Sequence, residues 1–134
     1  MEYEVLPHTA DLRIKATGRT LEELFYNALR GMSSVMQPGA LVQPATVSQE
    51  ISVSAGDTAS LLVDFLSEAL SLSQINREVY TEVAFNEFTS RWLRATLRGA
   101  PVPSLVRDIK AVTYHGVAIT ETDAGYETTV VYDI

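Results

Sequence analysis

Hydrophobic residues recur along the 134-residue chain with two periods, and the switches between them mark its elements. Tyr3 and Val5 alternate with Glu2 and Glu4, the period of a half-buried strand, and Pro7 ends it. Leu12, Ile14 and Ala16 then alternate with Arg13, Lys15 and Thr17, which predicts a second strand with one wet face. Asp11 is in phase with Arg13 and Lys15, so it belongs to that polar face or to the turn leading into it. After Gly18 the period changes. Thr20-Leu21-Glu22-Glu23 is a capping box, with the Thr20 hydroxyl accepting from an orphan N–H and Glu23 reaching back. Leu21, Leu24, Phe25, Ala28, Met32, Val35 and Met36 follow at helical spacing, and Pro38-Gly39 stops the helix. Gln37 to Pro44 is a loop, too short for an interdomain linker.

Val47, Ile51 and Val53 alternate with Ser48, Glu50, Ser52 and Ser54 as another amphipathic strand. Asp57 or Thr58 caps a second helix whose apolar set is Leu62, Phe65, Leu66, Ala69, Leu72 and Ile75. Asp64 and Glu68, one turn apart, share a flank of it and read as a solvated edge. Val79, Val83 and Phe85 alternate with polar residues, with Asn86-Glu87 near a turn. Leu93, Ala95 and Leu97 alternate with Arg94, Thr96 and Arg98, a hairpin partner with a basic outer face. Gly99 to Ser104 reads as a loop, Ile109 to Ile119 as extended with Gly116 at a bulge or bend, and Asp123-Ala124-Gly125 as a hairpin turn before the closing strand Tyr126 to Asp133. Two amphipathic helices and about seven strands, most of them in hairpin-like succession, predict an α+β fold. The expected architecture is a two-layer sandwich, a mostly antiparallel sheet with both helices packed on one face, in one domain spanning 1–134.

Composition narrows the function. With 46% hydrophobic residues the chain can build a core, and its net charge of −7 opposes avid, sequence-independent binding to a phosphate backbone. There is no cysteine, which removes thiol catalysis, disulfides and thiolate metal sites. Met1-Glu2-Tyr3-Glu4 lacks the basic start of a signal peptide, and no apolar run reaches transmembrane length, so a soluble cytoplasmic protein with no membrane contact is expected.

The strands that start near Asp11 and end at Asp133 suggest chemistry if they are neighbours. The side chains of Asp11 and Asp133 would then meet the α-carboxylate of Ile134 in an all-oxygen site suited to calcium, magnesium or manganese. His8 and His115 are the only histidines, each able to act as base or ligand but more often structural. Lys110 opens Lys110-Ala111-Val112-Thr113-Tyr114-His115, where alternation sets it on the face of Val112 and Tyr114. On spacing alone Lys110 reads as a surface lysine. No serine or threonine stands in a nucleophile elbow, and there is no glycine-rich phosphate loop.

Three segments together resemble the archease family: His8-Thr9-Ala10-Asp11 followed by Gly18 and Thr20-Leu21-Glu22-Glu23-Leu24-Phe25, then Ile109 through His115, then Val130-Val131-Tyr132-Asp133-Ile134. The helix Leu61 to Glu68 is similar as well, so the likeness covers most of the chain. The resemblance implies a chaperone-like protein cofactor, not an enzyme, that promotes guanylylation and repeated turnover of an RtcB-type RNA ligase in tRNA splicing and RNA repair. It implies contact with tRNA only through that ligase. It implies a divalent metal held by Asp11, Asp133 and Ile134, and a functional role for Lys110, with His8 and His115 in the same motifs. Where the family tends to read Gly-Glu and then acidic and histidine positions, this chain reads Gly99-Ala100-Pro101-Val102-Pro103-Ser104. Two other readings of the residues stand beside it: a metal-dependent phosphohydrolase using Asp11, Asp133 and a histidine, or a small-ligand-binding or scaffold domain.

Overall fold

The computed structural model describes residues 2–6 and 11–134. Pro7-His8-Thr9-Ala10 lies outside the described residues. The elements follow in the order β1 (Tyr3–Leu6), β2 (Leu12–Gly18), α1 (Leu21–Met36), a short 3-10 turn (Ala40–Val42), β3 (Val47–Ser54), α2 (Thr58–Asn76), β4 (Glu78–Phe88), β5 (Trp92–Pro101), β6 (Ala111–Val112), β7 (Thr120–Thr122) and β8 (Gly125–Asp133). The fold is α+β with antiparallel pairing throughout, as the periodicity predicts. The strands divide into two sheets. One has the order β1-β2-β8-β6, with β7 beside the first residues of β8; the other has the order β3-β5-β4.

Local chemistry explains the helices. The Glu23 N–H donates to Thr20 Oγ1 at 3.1 Å, and Glu23 Oε1 accepts from the Arg19 N–H at 3.2 Å, so the capping box closes one residue earlier than the usual form. Asp57 caps α2, accepting from the Ser60 N–H at 2.7 Å, and those Ser60 bonds hold its carboxyl below the usual range. Helix α1 is amphipathic. Gly31 on its inner face lets it lie close to the first sheet, where an added Cβ would sit 3.0 Å from Ile14 Cγ2. Helix α2 buries Leu61, Leu62, Val63, Phe65, Leu66, Ala69, Leu70 and Ser73, which cover more than one stripe. It is enclosed because it packs on β6 of one sheet and on β3, β4 and β5 of the other. Phe25 of α1 meets Phe65 of α2 and Phe88 of β4, with ring centroids 5.6 and 5.0 Å apart, and ties the layers together.

Several elements differ from the sequence reading. Val5 is 46% exposed on the edge strand β1, whose Tyr3 packs against Gly31 of α1. Ile75 is 76% exposed: the last turn of α2 carries it away from the sheets, and Ser73 faces inward instead. Asn86 and Glu87 lie within β4, and the turn falls at 89–91, where Thr89 Oγ1 accepts from the Trp92 N–H. Gly99 to Pro101 continues β5 and is not loop. A Cβ at Gly99 would collide with the Val79 carbonyl oxygen, so only glycine permits this pairing. Of Ile109 to Ile119, only Ala111–Val112 is strand; Gly116, at φ 62°, is the third residue of a turn in which Val117 N–H donates to the Tyr114 carbonyl at 3.2 Å. Among the described residues, no helix is long and apolar enough to cross a membrane.

Candidate functional site

Strand β8 is central to the first sheet, and its last residues gather the predicted site. Leu12 of β2 pairs with Tyr132, and the same register continued by one residue sets Asp11 opposite Asp133. On the other side, Ala111 of β6 pairs with Asp133, and that register sets Lys110 opposite Ile134. The Lys110 N–H donates to the Asp133 carbonyl at 2.7 Å. Leu12 and Tyr132 turn into the core, so alternation directs Asp11 and Asp133 to the opposite, outer face. Asp133 is exposed, and Arg13 Nε stands 3.5 Å from Asp11 Oδ1 on that face. Ile134 is half-buried and its side chain packs against the core.

Contacts distant in sequence hold the Lys110 segment in place. Val106 and Arg107 both donate backbone N–H bonds to the Met36 carbonyl at the end of α1, at 3.0 and 3.1 Å. The Gln74 amide of α2 donates to the Ile109 carbonyl at 2.8 Å, and Ile109 is fully buried. Beyond β6, Thr113 bonds the Val131 carbonyl through both its N–H, at 3.0 Å, and its hydroxyl, at 2.9 Å. The Tyr114 hydroxyl donates to Asp64 Oδ1, and that bond, aided by desolvation, holds the phenol above its ordinary range. The main chain is therefore fixed on both sides of Lys110, while the Lys110 side chain is exposed.

Asp11, Asp133, Ile134 and Lys110 thus come to one end of the sheet. His115 does not share that position: it is exposed on the turn beyond the Thr113–Val131 bonds, away from the end of β8. His8 lies outside the described residues. Among the described residues no group of three or more histidine, aspartate and glutamate side chains is placed to hold a metal, so a third donor beside Asp11 and Asp133 has to come from elsewhere. The two aspartates provide hard oxygen donors that suit calcium, magnesium or manganese, and like-charged carboxylates on adjacent strands favour a cation between them. Sequence reasoning missed Gln74 as a positioning residue. Gln74 is one of several polar side chains on α2, so no local signal singled it out. Asp64, read as a solvated edge, is half-buried and bonded to Tyr114.

The Archease protein family (MTH1598/TM1083) matches residues 3–134. The protein archease of Methanosarcina barkeri is 35% identical, with 99% of this chain and 96% of that protein covered. The protein archease of Saccharolobus solfataricus is 30% identical, with 99% of each covered. The solution structure of Methanobacterium thermoautotrophicum protein 1598 superposes with a TM-score of 0.80 at 28% identity, over 99% of each chain. The crystal structure of an archease, possible chaperone, from Thermotoga maritima superposes with a TM-score of 0.66 at 21% identity, over 96% of this chain and 94% of that one, and attests the fold.

Proposed function

The chain belongs to the archease family, and from that premise we propose that it is a protein activator of an RtcB-type RNA ligase, promoting guanylylation and repeated turnover in tRNA splicing and RNA repair. The observation that carries the reading is the convergence at the end of β8, where strand register aligns Asp11 with Asp133 and Lys110 with Ile134. In this proposal Asp11, Asp133 and the α-carboxylate of Ile134 hold a calcium, magnesium or manganese ion. When bound, the ion neutralises the carboxylates and fixes the outer face of the three strands. Lys110 presents its ammonium from a braced main chain toward phosphate or carboxylate groups of the ligase. The protein works as a cofactor of the ligase and contacts tRNA only through it. Activation requires that this end of the sheet fit the nucleotide-accepting state of the ligase better than its other states.

The test has two arms. Thermal unfolding should rise with added divalent metal, by about 2.7 kcal/mol at a hundredfold excess over Kd. Asp133→Asn should abolish that rise, and one glycine added after Ile134 should weaken it by displacing the carboxylate. In the second arm, guanylylation of the ligase is followed with wild-type and Asp133→Asn protein. An unaltered metal shift in Asp133→Asn places the cation elsewhere, and wild-type stimulation by that variant removes the site from the activation step.

A further inference from the structure

Strand β3 ends its sheet, and among the described residues no strand pairs with its other edge. It is eight residues long and pairs with β5 without a bulge, from Val47 with Gly99 to Ser54 with Trp92. The Ala55 N–H donates to the Arg91 carbonyl at 2.9 Å, which fixes the phase of the ladder. By antiparallel alternation, Val47, Gln49, Ile51 and Val53 spend their backbone groups on β5, while those of Ser48, Glu50, Ser52 and Ser54 point outward. Edge strands are commonly guarded by lysine, proline, a bulge or a cover. Within Val47–Ser54 the one charged residue is Glu50, and there is no proline. The inner-face residues Val47 and Val53 are only partly buried, so apolar surface remains along this edge.

We propose that β3 pairs antiparallel with β3 of a second copy about a two-fold axis at Ile51, joining two three-stranded sheets into one of six strands. Self-complementarity selects this occupant. The register centred on Ile51 sets Glu50 against Ser52 of the second copy and Ser48 against Ser54, and all four outward-pointing residues of each strand exchange backbone bonds. A register centred on Glu50 would oppose two carboxylates. On the outer face, Ser52 is flanked in its own sheet by Arg94, its partner on β5. Glu50, Ser52, Asn86 and Arg94 border one shallow hollow there. In the pair, Glu50 of the second copy lies across the short Ser52 side chain and directs its carboxylate at Arg94, whose guanidinium also holds Glu87 of its own sheet at 3.1 Å and is then shared between two carboxylates. On the inner face Gln49 meets Val53 and Val47 meets Ala55, covering the apolar surface left at Val47 and Val53, while Ile51, already buried, meets its own copy at the axis.

The test is sedimentation of the full chain from micromolar to millimolar concentration, with amide hydrogen exchange at both limits. The expected result is a concentration-dependent species of twice 14.7 kDa, with new protection confined to the Ser48, Glu50, Ser52 and Ser54 amides. Ser52→Pro removes an N–H that β5 does not use and should give a folded monomer. Glu50→Lys, at an exposed position, should do the same by opposing Arg94, and Glu50→Lys with Arg94→Glu should restore the dimer. Thermal melts verify folding in each. A monomer at every concentration, a dimer indifferent to Glu50→Lys, or protection at other amides overturns the proposal. The first of those outcomes would leave the edge to a strand from another protein.

Discussion

Lys110 is a residue whose side chain is free to act while its main chain is not free to move. Its N–H is bonded to Asp133, the preceding Ile109 is fully buried, and its own side chain is exposed. Truncation should therefore cost less than about 0.5 kcal/mol of stability, as surface changes usually do. Lys110→Ala should melt like wild type, keep its metal response and lose stimulation of the ligase. Lys110→Arg separates two roles, because arginine keeps the charge but replaces a compact ammonium with a planar fork. Loss in both variants indicates a positioned contact; survival of the arginine variant indicates a general field. Multiple-turnover ligation with each protein decides, and full stimulation by folded Lys110→Ala would take the residue out of the mechanism. Gly99 gives a contrasting prediction about stability alone. Its missing Cβ is what lets Val79 approach, so Gly99→Ala should destabilise by about 1–3 kcal/mol in denaturant titration.

Elements with a strong period or cap were legible in the sequence, and elements held by distant bonds were not. Thr20 and Asp57 announced both helices, and β2, β3, β5 and β8 followed their alternation. Thr20→Ala should cost about 1 kcal/mol, readable as a lower midpoint in urea. The stretch from Val102 to Ile119 read as loop and then strand because nothing local encodes its course. Met36, Gln74 and Asp64 hold it, and each is at least 35 positions away in the sequence from the residue it bonds. The outward turns of Val5 and Ile75 were hidden for a similar reason: whether an apolar residue is covered depends on where its sheet or helix ends. The Tyr114–Asp64 bond makes the tether pH-dependent. A phenol raised in the folded state contributes stability that is complete below its unfolded pKa, near 10, and is lost as pH rises through the folded value. Asp64→Asn should bring the Tyr114 titration back down in a difference ultraviolet titration, and Tyr114→Phe should speed exchange of the neighbouring amides. Unchanged titration in Asp64→Asn would mean that the tether does not exist in solution.

For the whole molecule, charge and its arrangement decide how RNA can be approached. The candidate metal site was half legible: the aspartates could be picked out as the chemistry-bearing ends of two strands, but only the order β2-β8-β6 shows that they and Lys110 share one end of a sheet. The sequence also offered Arg94 and Arg98, on the basic outer face of β5, as a stripe able to follow a phosphate backbone. The fold largely neutralises it. Arg94 pairs with Glu87 at 3.1 Å, and Arg98 stands opposite Glu82 in the β4–β5 register. The field around the protein is that of a net charge of −7, and Trp92 is the one aromatic residue of β5, too little for a stacking platform on that strand. Phosphate-driven binding falls steeply with salt because each neutralised phosphate releases counterions. The expected outcome is therefore no saturable binding of a tRNA precursor by the protein alone near physiological salt, and no steep gain at low salt. Stimulation of the ligase should persist under the same conditions, since it needs protein contact with the ligase and no grip on RNA. Tight binding of naked RNA with a steep salt slope, lost in Arg94→Ala or Arg98→Ala, would assign RNA recognition to the second sheet and contradict an activator that meets RNA only through its ligase.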